Sequence, residues 1–392
     1  MNKLAIITTH PIQYNAPFFK LLAQQKKIAI KVFYTWGKDV LEKKYDPGFG
    51  KIVEWDIPLL EGYEYTFITN IAKSPGSNHF MGIDNPDLVN EIKVYNPSAL
   101  LVFGWNFKSH LRCLRYFHKK VPILFRGDST LLDEKGGLKK IARTLFLKWI
   151  YHHIDFALYV GTHNKNYFER HGLKEHQLVL APHAIDNDRF SVFDKEYTNK
   201  AAAWKARLGI AQHELTVLYA GKLEDVKNPF FIIDIANKLQ NLPIKFIIVG
   251  NGPLENELIE RIKNNKKVII LHFQNQSMMP VVYRLGDIFI LSSKSETWGL
   301  GANEAMASGC AIALSEKIGG AIDLVRENKN GFLFSLNEVQ KCADSIAELY
   351  VDREKLAKMK KLSLELIKNF SFKNIVEPIE NIVVRIGIGK QL

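Results

Sequence analysis

The chain has 392 residues, 47% hydrophobic and 24% charged, with three cysteines and a formal net charge of +12. This balance is that of a globular protein of two or three domains and excludes a disordered or collagen-like chain. Cys113, Cys310 and Cys342 lack C-x-x-C spacing, which excludes a zinc ribbon and a disulfide scaffold and agrees with a reducing compartment.

Short apolar runs recur along the chain with helical patterns between them. "KLAIITT" (3–9) is a buried strand and not a signal peptide, since no small-residue cleavage site follows it. "APFFKLLAQQ" (16–25) has helical spacing with Pro17 near its start, where a missing N–H costs little. "IAIKVFYT" (28–35), "SALLVFG" (98–104), "VPILFRG" (121–127) and "FALYVG" (156–161) are further strands. The stretch 191–213 is polar, lacks a strand and is expected to link two domains. Beyond it, "ELTVLYAG" (214–221), "IKFIIVG" (244–250), "KVIILHF" (267–273), "DIFILSS" (287–293) and "CAIALS" (310–315) repeat the alternation. Strands alternating with helices imply parallel sheets, which carry ligands at the carboxyl ends of their strands. No apolar run approaches the roughly 20 residues of a membrane span.

Three strand-to-helix junctions in the second half carry chemistry. In "SETWGLGANEAMASG" (295–309), Glu296 and Glu304 flank a turn containing Gly299 and Gly301. The spacing places Glu304 in the first turn of a helix whose free N–H groups suit a phosphate. Carboxylates repel phosphate but grip vicinal hydroxyls, such as those of a sugar and of a ribose. The bland alternative is that Glu304 complements the helix dipole and Glu296 is solvated. In "LYAGKLEDVKNPFFIIDIA" (218–236), Gly221 ends a strand, and Lys222 and Lys227 could neutralise a diphosphate or be plain loop lysines. In "FIIVGNGPLENEL" (246–258), Gly250 and Gly252 form a tight turn, too short for a dinucleotide fingerprint.

In their order these segments resemble the retaining glycosyltransferases of family four, which have the GT-B architecture. "SETWGLGANEAMASG" is similar to that family's E-x7-E signature, "GKLEDVKN" to its G-[RK]-L-x-x-x-K-G loop and "VGNGP" to its VG-x-G-P turn. "PHAIDNDRF" (182–190) and "GGAIDLVRENKNGFLF" (319–334) extend the likeness across 182–334. Asp323, Ala311, Asn228, His183 and Ala184 depart from the pattern, and "THPIQYNAP" (9–17) stands where an early Gly-Gly loop is usual.

The resemblance implies an α/β fold of two doubly wound Rossmann-like domains facing across a cleft. Residues 1–190 would bind the acceptor, 191–213 would be the linker, 214–369 would bind the nucleotide sugar, and 370–392 would be a helix packing back on the first domain. It implies that Lys222 and Lys227 bind the donor diphosphate, Glu296 the transferred sugar and Glu304 the ribose. Gly221, Gly250, Trp298, Gly299, Leu300 and Gly301 would contact sugar and phosphate, and Phe273 and Gln274 would frame the base. The donor would be a UDP- or GDP-linked hexose or N-acetylhexosamine, with no metal or other cofactor. The acceptor would be a glycan or lipid-linked molecule of bacterial surface polysaccharide synthesis, in the cytoplasm or at the inner membrane face. "DND" (186–188) fits the D-x-D pattern of metal-dependent glycosyltransferases, but its place at a domain edge reads as hinge structure.

Acceptor-side expectations rest on loops after the first-half strands: His10, Gln13, Tyr14 and Asn15, then Trp105, then Arg126 and Asp128; a purely structural role is equally open for each, with Arg126 and Asp128 pairing to hold their own loop. The first 200 residues hold 28 basic and 20 acidic side chains, which points to an anionic partner: a phospholipid surface, a nucleic acid or a phosphorylated substrate. "GGLKKIARTLFLKWIYHH" (136–153) is basic and amphipathic, suited to an anionic membrane or to packing with a lysine-rich outer face. Two other functions remain open on sequence: transfer to a nucleic acid or another polyanion, and a non-catalytic sugar-nucleotide-binding subunit. Oligomeric state is not legible.

Overall fold

The computed structural model describes residues 1–38, 44–46, 51–53, 55–134 and 136–389. In chain order its elements are β1 (Lys3–Thr8), α1 (Ala16–Gln25), β2 (Ala29–Tyr34), β3 (Lys44–Asp46), β4 (Lys51–Val53), β5 (Glu64–Phe67), α2 (Leu88–Tyr95), β6 (Ala99–Phe103), α3 (Lys108–Phe117), β7 (Ile123–Arg126), α4 (Leu138–Tyr151), β8 (Phe156–Tyr159), α5 (Thr162–Arg170) and β9 (Leu178–Leu180). There follow α6 (Asn187–Phe190), α7 (Lys195–Arg207), β10 (Leu215–Ala220), α8 (Phe230–Lys238), β11 (Ile244–Val249), α9 (Glu255–Ile262), β12 (Val268–Leu271), α10 (Met279–Tyr283), β13 (Ile288–Leu291), α11 (Leu300–Ala307), β14 (Ala311–Ser315), α12 (Ala321–Leu324), β15 (Gly331–Phe334), α13 (Val339–Val351), α14 (Arg353–Leu366) and α15 (Phe372–Gly387).

The chain forms two compact units. One comprises Met1–Lys43, Pro58–His183 and Phe372–Leu392; the other comprises Lys44–Ile57 and Ala184–Ser371. The division thus falls at His183/Ala184 rather than at 190/191. The stretch expected as a linker carries α7, whose first turn is capped by Asp194 accepting from Tyr197 N at 3.0 Å. Residues 390–392 of the expected C-terminal segment lie outside the described residues.

The first unit is built on a sheet of order β5-β2-β1-β6-β7-β8-β9. Every neighbouring pair is parallel. Its central strands are nearly continuous apolar runs, as strands covered on both faces require. Val102, Phe125, Ala157 and Phe168 pack in one core with Leu147, Ile150 and Tyr151 of α4. Helix α15 belongs to this unit, where Glu380 is buried and paired with Lys27 at 2.7 Å.

The second unit holds a parallel sheet of order β12-β11-β10-β13-β14-β15. Sequence order runs outward in both directions from β10 and β13, so the topological switch point lies between these two strands. In open α/β sheets that is the position of the ligand crevice.

Candidate functional site

The donor-side residues are delivered to the carboxyl edge of the second sheet by successive strands. After β10, Gly221 passes next to Gly250, which follows the neighbouring β11. Their strands pair through Ala220 and Val249, and Gly221 N donates to Val249 O at 3.0 Å. The approach is so close that a Cβ on Gly250, which has φ +153°, would lie 1.9 Å from the Gly221 carbonyl oxygen. Gly250 therefore serves the neighbouring loop: only a residue without a side chain lets the Lys222 backbone pass. Tyr219, buried, donates its hydroxyl to Lys222 O at 2.7 Å. Burial, with the charges of Glu296 and Glu224 nearby, holds that phenol far above its ordinary range.

Lys227 ends a single 3-10 turn, Asp225–Lys227, closed by Asn228 in the left-handed region at φ 51°. Asn tolerates this conformation where most residues do not. Ser292, just after β13, donates its hydroxyl toward the carbonyls of Lys227 at 3.1 Å and Asn228 at 2.9 Å. Lys294 N donates to Val226 O at 2.8 Å. The β13 end thus clamps the lysine loop across the switch point. There the Lys227 ammonium forms an ion pair with the Glu296 carboxylate. Glu296 is anchored through its backbone, its N–H donating to Lys317 O at 3.2 Å and its carbonyl accepting from Gly319 N at 2.9 Å.

Gly299 follows, at φ +94°, and is the N-cap of α11. The positive φ turns the chain directly into the helix, so Gly301 lies within the first helical turn and Glu304 in the second. This corrects the expectation of Gly301 in the turn and of Glu304 in the first turn. Glu304 is 2% exposed and accepts from the Tyr283 hydroxyl at 2.7 Å. It is a positioned buried carboxylate rather than a surface dipole partner. Trp298 is 3% exposed and donates Nε1–H to Asn303 at 2.9 Å, which pins the helix entrance from below. At the start of α11, Ala302 N donates to Gly299 O at 2.8 Å, while Leu300 and Gly301 precede the first residue that an intrahelical carbonyl can serve; the Glu296 side chain lies against this N-cap, a Cβ on Gly299 falling 3.8 Å from Glu296 Cγ. Phe273 is placed by its N–H donating to Asn251 Oδ1 at 2.6 Å; Gln274 Nε2 donates to His272 O at 3.0 Å.

Sequence reasoning missed Tyr219, Asn251, Tyr283, Ser292 and Asn303, which hold the expected residues. Tyr219, Asn251 and Asn303 lie inside the quoted motifs, where nothing marks them as supports, and Tyr283 and Ser292 lie outside them. Asp186, within the D-x-D pattern, caps α6 by accepting from Arg189 N at 3.2 Å.

In the first unit, the expected acceptor residues divide. His10 lies on the turn after β1, with Thr9 Oγ1 2.9 Å from its Nδ1 and its ring edge-on to Trp36 at 5.0 Å. Gln13, Tyr14 and Asn15 continue that turn into α1, Asn15 as the N-cap residue. Trp105 packs half-buried against the core and meets Phe146 at 5.5 Å. Arg126 is buried, and its guanidinium donates to Ala181 O at 2.6 Å and Pro182 O at 3.2 Å. Burial, opposed by Asp128, brings its pKa down to about 10. Two of the five N–H donors of Arg126 thus hold the chain leaving β9. Asp128 lies 3.7 Å from His183.

Residues 200–364 match the family glycosyl transferases group 1. The chain is 28% identical over 222 residues to the D-inositol 3-phosphate glycosyltransferase of Nocardia farcinica, covering 53% of this chain and 48% of that one. It is 23% identical over 222 residues to the UDP-Gal:alpha-D-GlcNAc-diphosphoundecaprenol alpha-1,3-galactosyltransferase of Escherichia coli, covering 55% and 56%. The chain thus spans about half the length of these curated relatives. Among solved structures, Anabaena Alr3699/HepE in complex with UDP and glucose superposes with a TM-score of 0.70 at 16% identity, over 98% of this chain and 100% of that one. WaaG, a glycosyltransferase of lipopolysaccharide biosynthesis, gives 0.66 at 12% identity over 97% and 99%. The shared fold is GT-B.

Proposed function

We propose that this chain, whose residues 200–364 match the glycosyl transferases group 1 family on a GT-B fold, transfers a sugar from a UDP- or GDP-linked donor to a glycan or lipid-linked acceptor, with retention of configuration. The observation that carries this reading is the Lys227–Glu296 pair at the switch point of the second sheet, next to the N-terminus of α11.

The chemistry follows from the charges. Breaking the sugar–phosphate bond leaves negative charge on the diphosphate and an oxocarbenium-like sugar. Lys222, Lys227 and the first N–H groups of α11 stabilise the departing charge, in the role a divalent cation plays elsewhere. Glu296 is tied to Lys227 and accepts hydrogen bonds from the sugar hydroxyls, so one ion pair couples the two halves of the donor. Glu304, held by Tyr283, takes the ribose hydroxyls. Retention has the acceptor attack from the face the diphosphate leaves, with a phosphate oxygen receiving the acceptor's proton. Likeness to proteins named for inositol phosphate and diphosphoundecaprenol acceptors supports a hydroxyl acceptor carried on a phosphorylated or lipid-linked molecule, in surface glycoconjugate synthesis.

Single-turnover assays with UDP- and GDP-sugars test the assignment. Lys227→Ala and Glu296→Gln should each lower the rate about 10²–10³-fold, the size of a lost preorganised charge or donor. Full transfer in both variants would refute the site.

A further inference from the structure

The loop from Phe273 to Ser277, which joins β12 to α10, is fastened by three residues far from it in sequence. At its start, Phe273 N donates to the Asn251 side chain at 2.6 Å. Near its end, Arg189 of α6 donates twice to Gln276, from Nη1 to the main-chain carbonyl and from Nη2 to Oε1, each at 3.0 Å. Gln276 is 7% exposed, so this fork is largely shielded from water. The next residue, Ser277, is grasped by Asp56, 221 positions earlier in the chain: its N–H donates to Oδ1 at 3.0 Å and its hydroxyl donates to Oδ2.

The anchors come from stretches that border a change of unit. Residues 55–57 precede the boundary at 57/58, and 184–190 follow the one at 183/184. A third such stretch joins them: Asn187 of α6 donates to Ile367 O and Phe370 O, each at 3.2 Å, just ahead of the boundary at 371/372. Asp56 is exposed, but Trp55 and Ile57 on either side of it are half-buried, so the segment lies against the unit. Between the anchors only Gln274 and Asn275 are left. A five-residue loop fixed at its first residue and at its last two is already ordered, and a ligand that binds it spares the cost of ordering it.

We propose that Asp56 is a positioning residue for the nucleotide base: through Ser277, and together with Arg189, it holds Phe273 and Gln274 where they frame that base. The proposal rests on the reading of the second unit as the donor-binding half. It assigns a part in base recognition to a segment that enters this unit from the first quarter of the chain. If the clasp only fastened 44–57 to its unit, base affinity would not depend on it.

Calorimetric titration of the full chain with UDP, GDP and inorganic pyrophosphate tests the assignment. In Asp56→Ala, the nucleoside diphosphate that the wild type prefers should bind about fivefold more weakly, the effect of one net hydrogen bond. Pyrophosphate should bind unchanged, because it lacks the base. Asp56→Asn should bind both ligands as the wild type does, since an amide accepts from the Ser277 N–H and donates to its hydroxyl. Arg189→Lys, which cannot form the fork, should weaken the nucleotide relative to pyrophosphate as Asp56→Ala does. Ser277→Ala added to Asp56→Ala should cost little more than Asp56→Ala alone. An equal loss for nucleotide and pyrophosphate, no loss for either, or the same nucleotide loss in Asp56→Asn as in Asp56→Ala would overturn the proposal. Lys227→Ala separates the two readings, because it should weaken both ligands. If it does and Asp56→Ala changes nothing, the base clasp alone is wrong; if it leaves both ligands untouched, the donor-site reading falls and the clasp with it.

Discussion

Arg126 stands at the carboxyl edge of the first sheet, yet both terminal nitrogens of its guanidinium are engaged by backbone carbonyls. Arg126→Met should therefore act on stability: two buried carbonyls lose a charged donor, a cost of about 3 kcal/mol in urea unfolding. The folded fraction should keep its acceptor KM. His110 is a second buried group at that edge, its Nδ1 2.9 Å from Phe103 O and its Nε2 2.8 Å from the Thr35 hydroxyl. Burial pushes its pKa down from 6.5 to about 4. Between these values the unfolded chain binds a proton that the folded chain does not, so stability falls as pH drops through this window. The loss attributable to His110 is up to about 3 kcal/mol; His110→Gln, compared with the wild type at pH 7 and 4.5, should show a correspondingly shallower decline. Which polar residues meet at the donor site was partly readable, because Lys227 and Glu296 each follow a strand that the apolar runs reveal. Tyr283 was not readable, because its link to Glu304 depends on how α10 lies against α11, which spacing does not encode.

At the scale of elements, Gly250 shows how one junction is set by its neighbour. Its Cβ position is filled by the Gly221 carbonyl, so Gly250→Ala must displace the loop that carries Lys222. The expected outcome is a loss of about 2–4 kcal/mol in unfolding free energy. Nucleotide binding by the folded fraction should weaken by about one to two orders of magnitude, as misplaced charged groups do. The central strands were visible in the sequence because burial on both faces demands long apolar runs. Several short strands were not, three of them at sheet edges. Glu64–Phe67 and Leu178–Leu180 are at sheet edges and partly exposed, and Gly331–Phe334 starts on a glycine. Helix α7 was hidden by its polarity: only Ala201 is buried along its length, so it lacks the apolar stripe that marks a helix, although Asp194 and the alanine run favour one. The start of α11 was displaced in the sequence reading because Gly299 and Gly301 look like a turn, whereas Gly299 alone makes it.

Across the whole molecule, the half proposed to handle the donor was far more legible than the other. A diphosphate and a sugar would impose fixed charges and hydroxyls, and the second sheet presents lysines and glutamates at strand ends. In the first unit Arg126 turns inward to backbone, and Trp105 packs half-buried against the core and the part-exposed Phe146. The segment Lys44–Ile57 is grouped with the second unit, where Asp56 accepts from Ser277 N at 3.0 Å, a long-range pairing that no local pattern announces. The claim on which function rests is the division of labour between Lys227 and Glu296, and calorimetric titration of one protein with both a nucleoside diphosphate and its sugar conjugate measures it directly. Lys227→Ala should weaken both ligands, because both present the diphosphate. Glu296→Gln should weaken the sugar nucleotide while leaving the bare diphosphate bound as well as before, or better, since Lys227 is released from its partner. Unchanged affinity for both ligands in Lys227→Ala, or an equal loss for both in Glu296→Gln, would contradict the account.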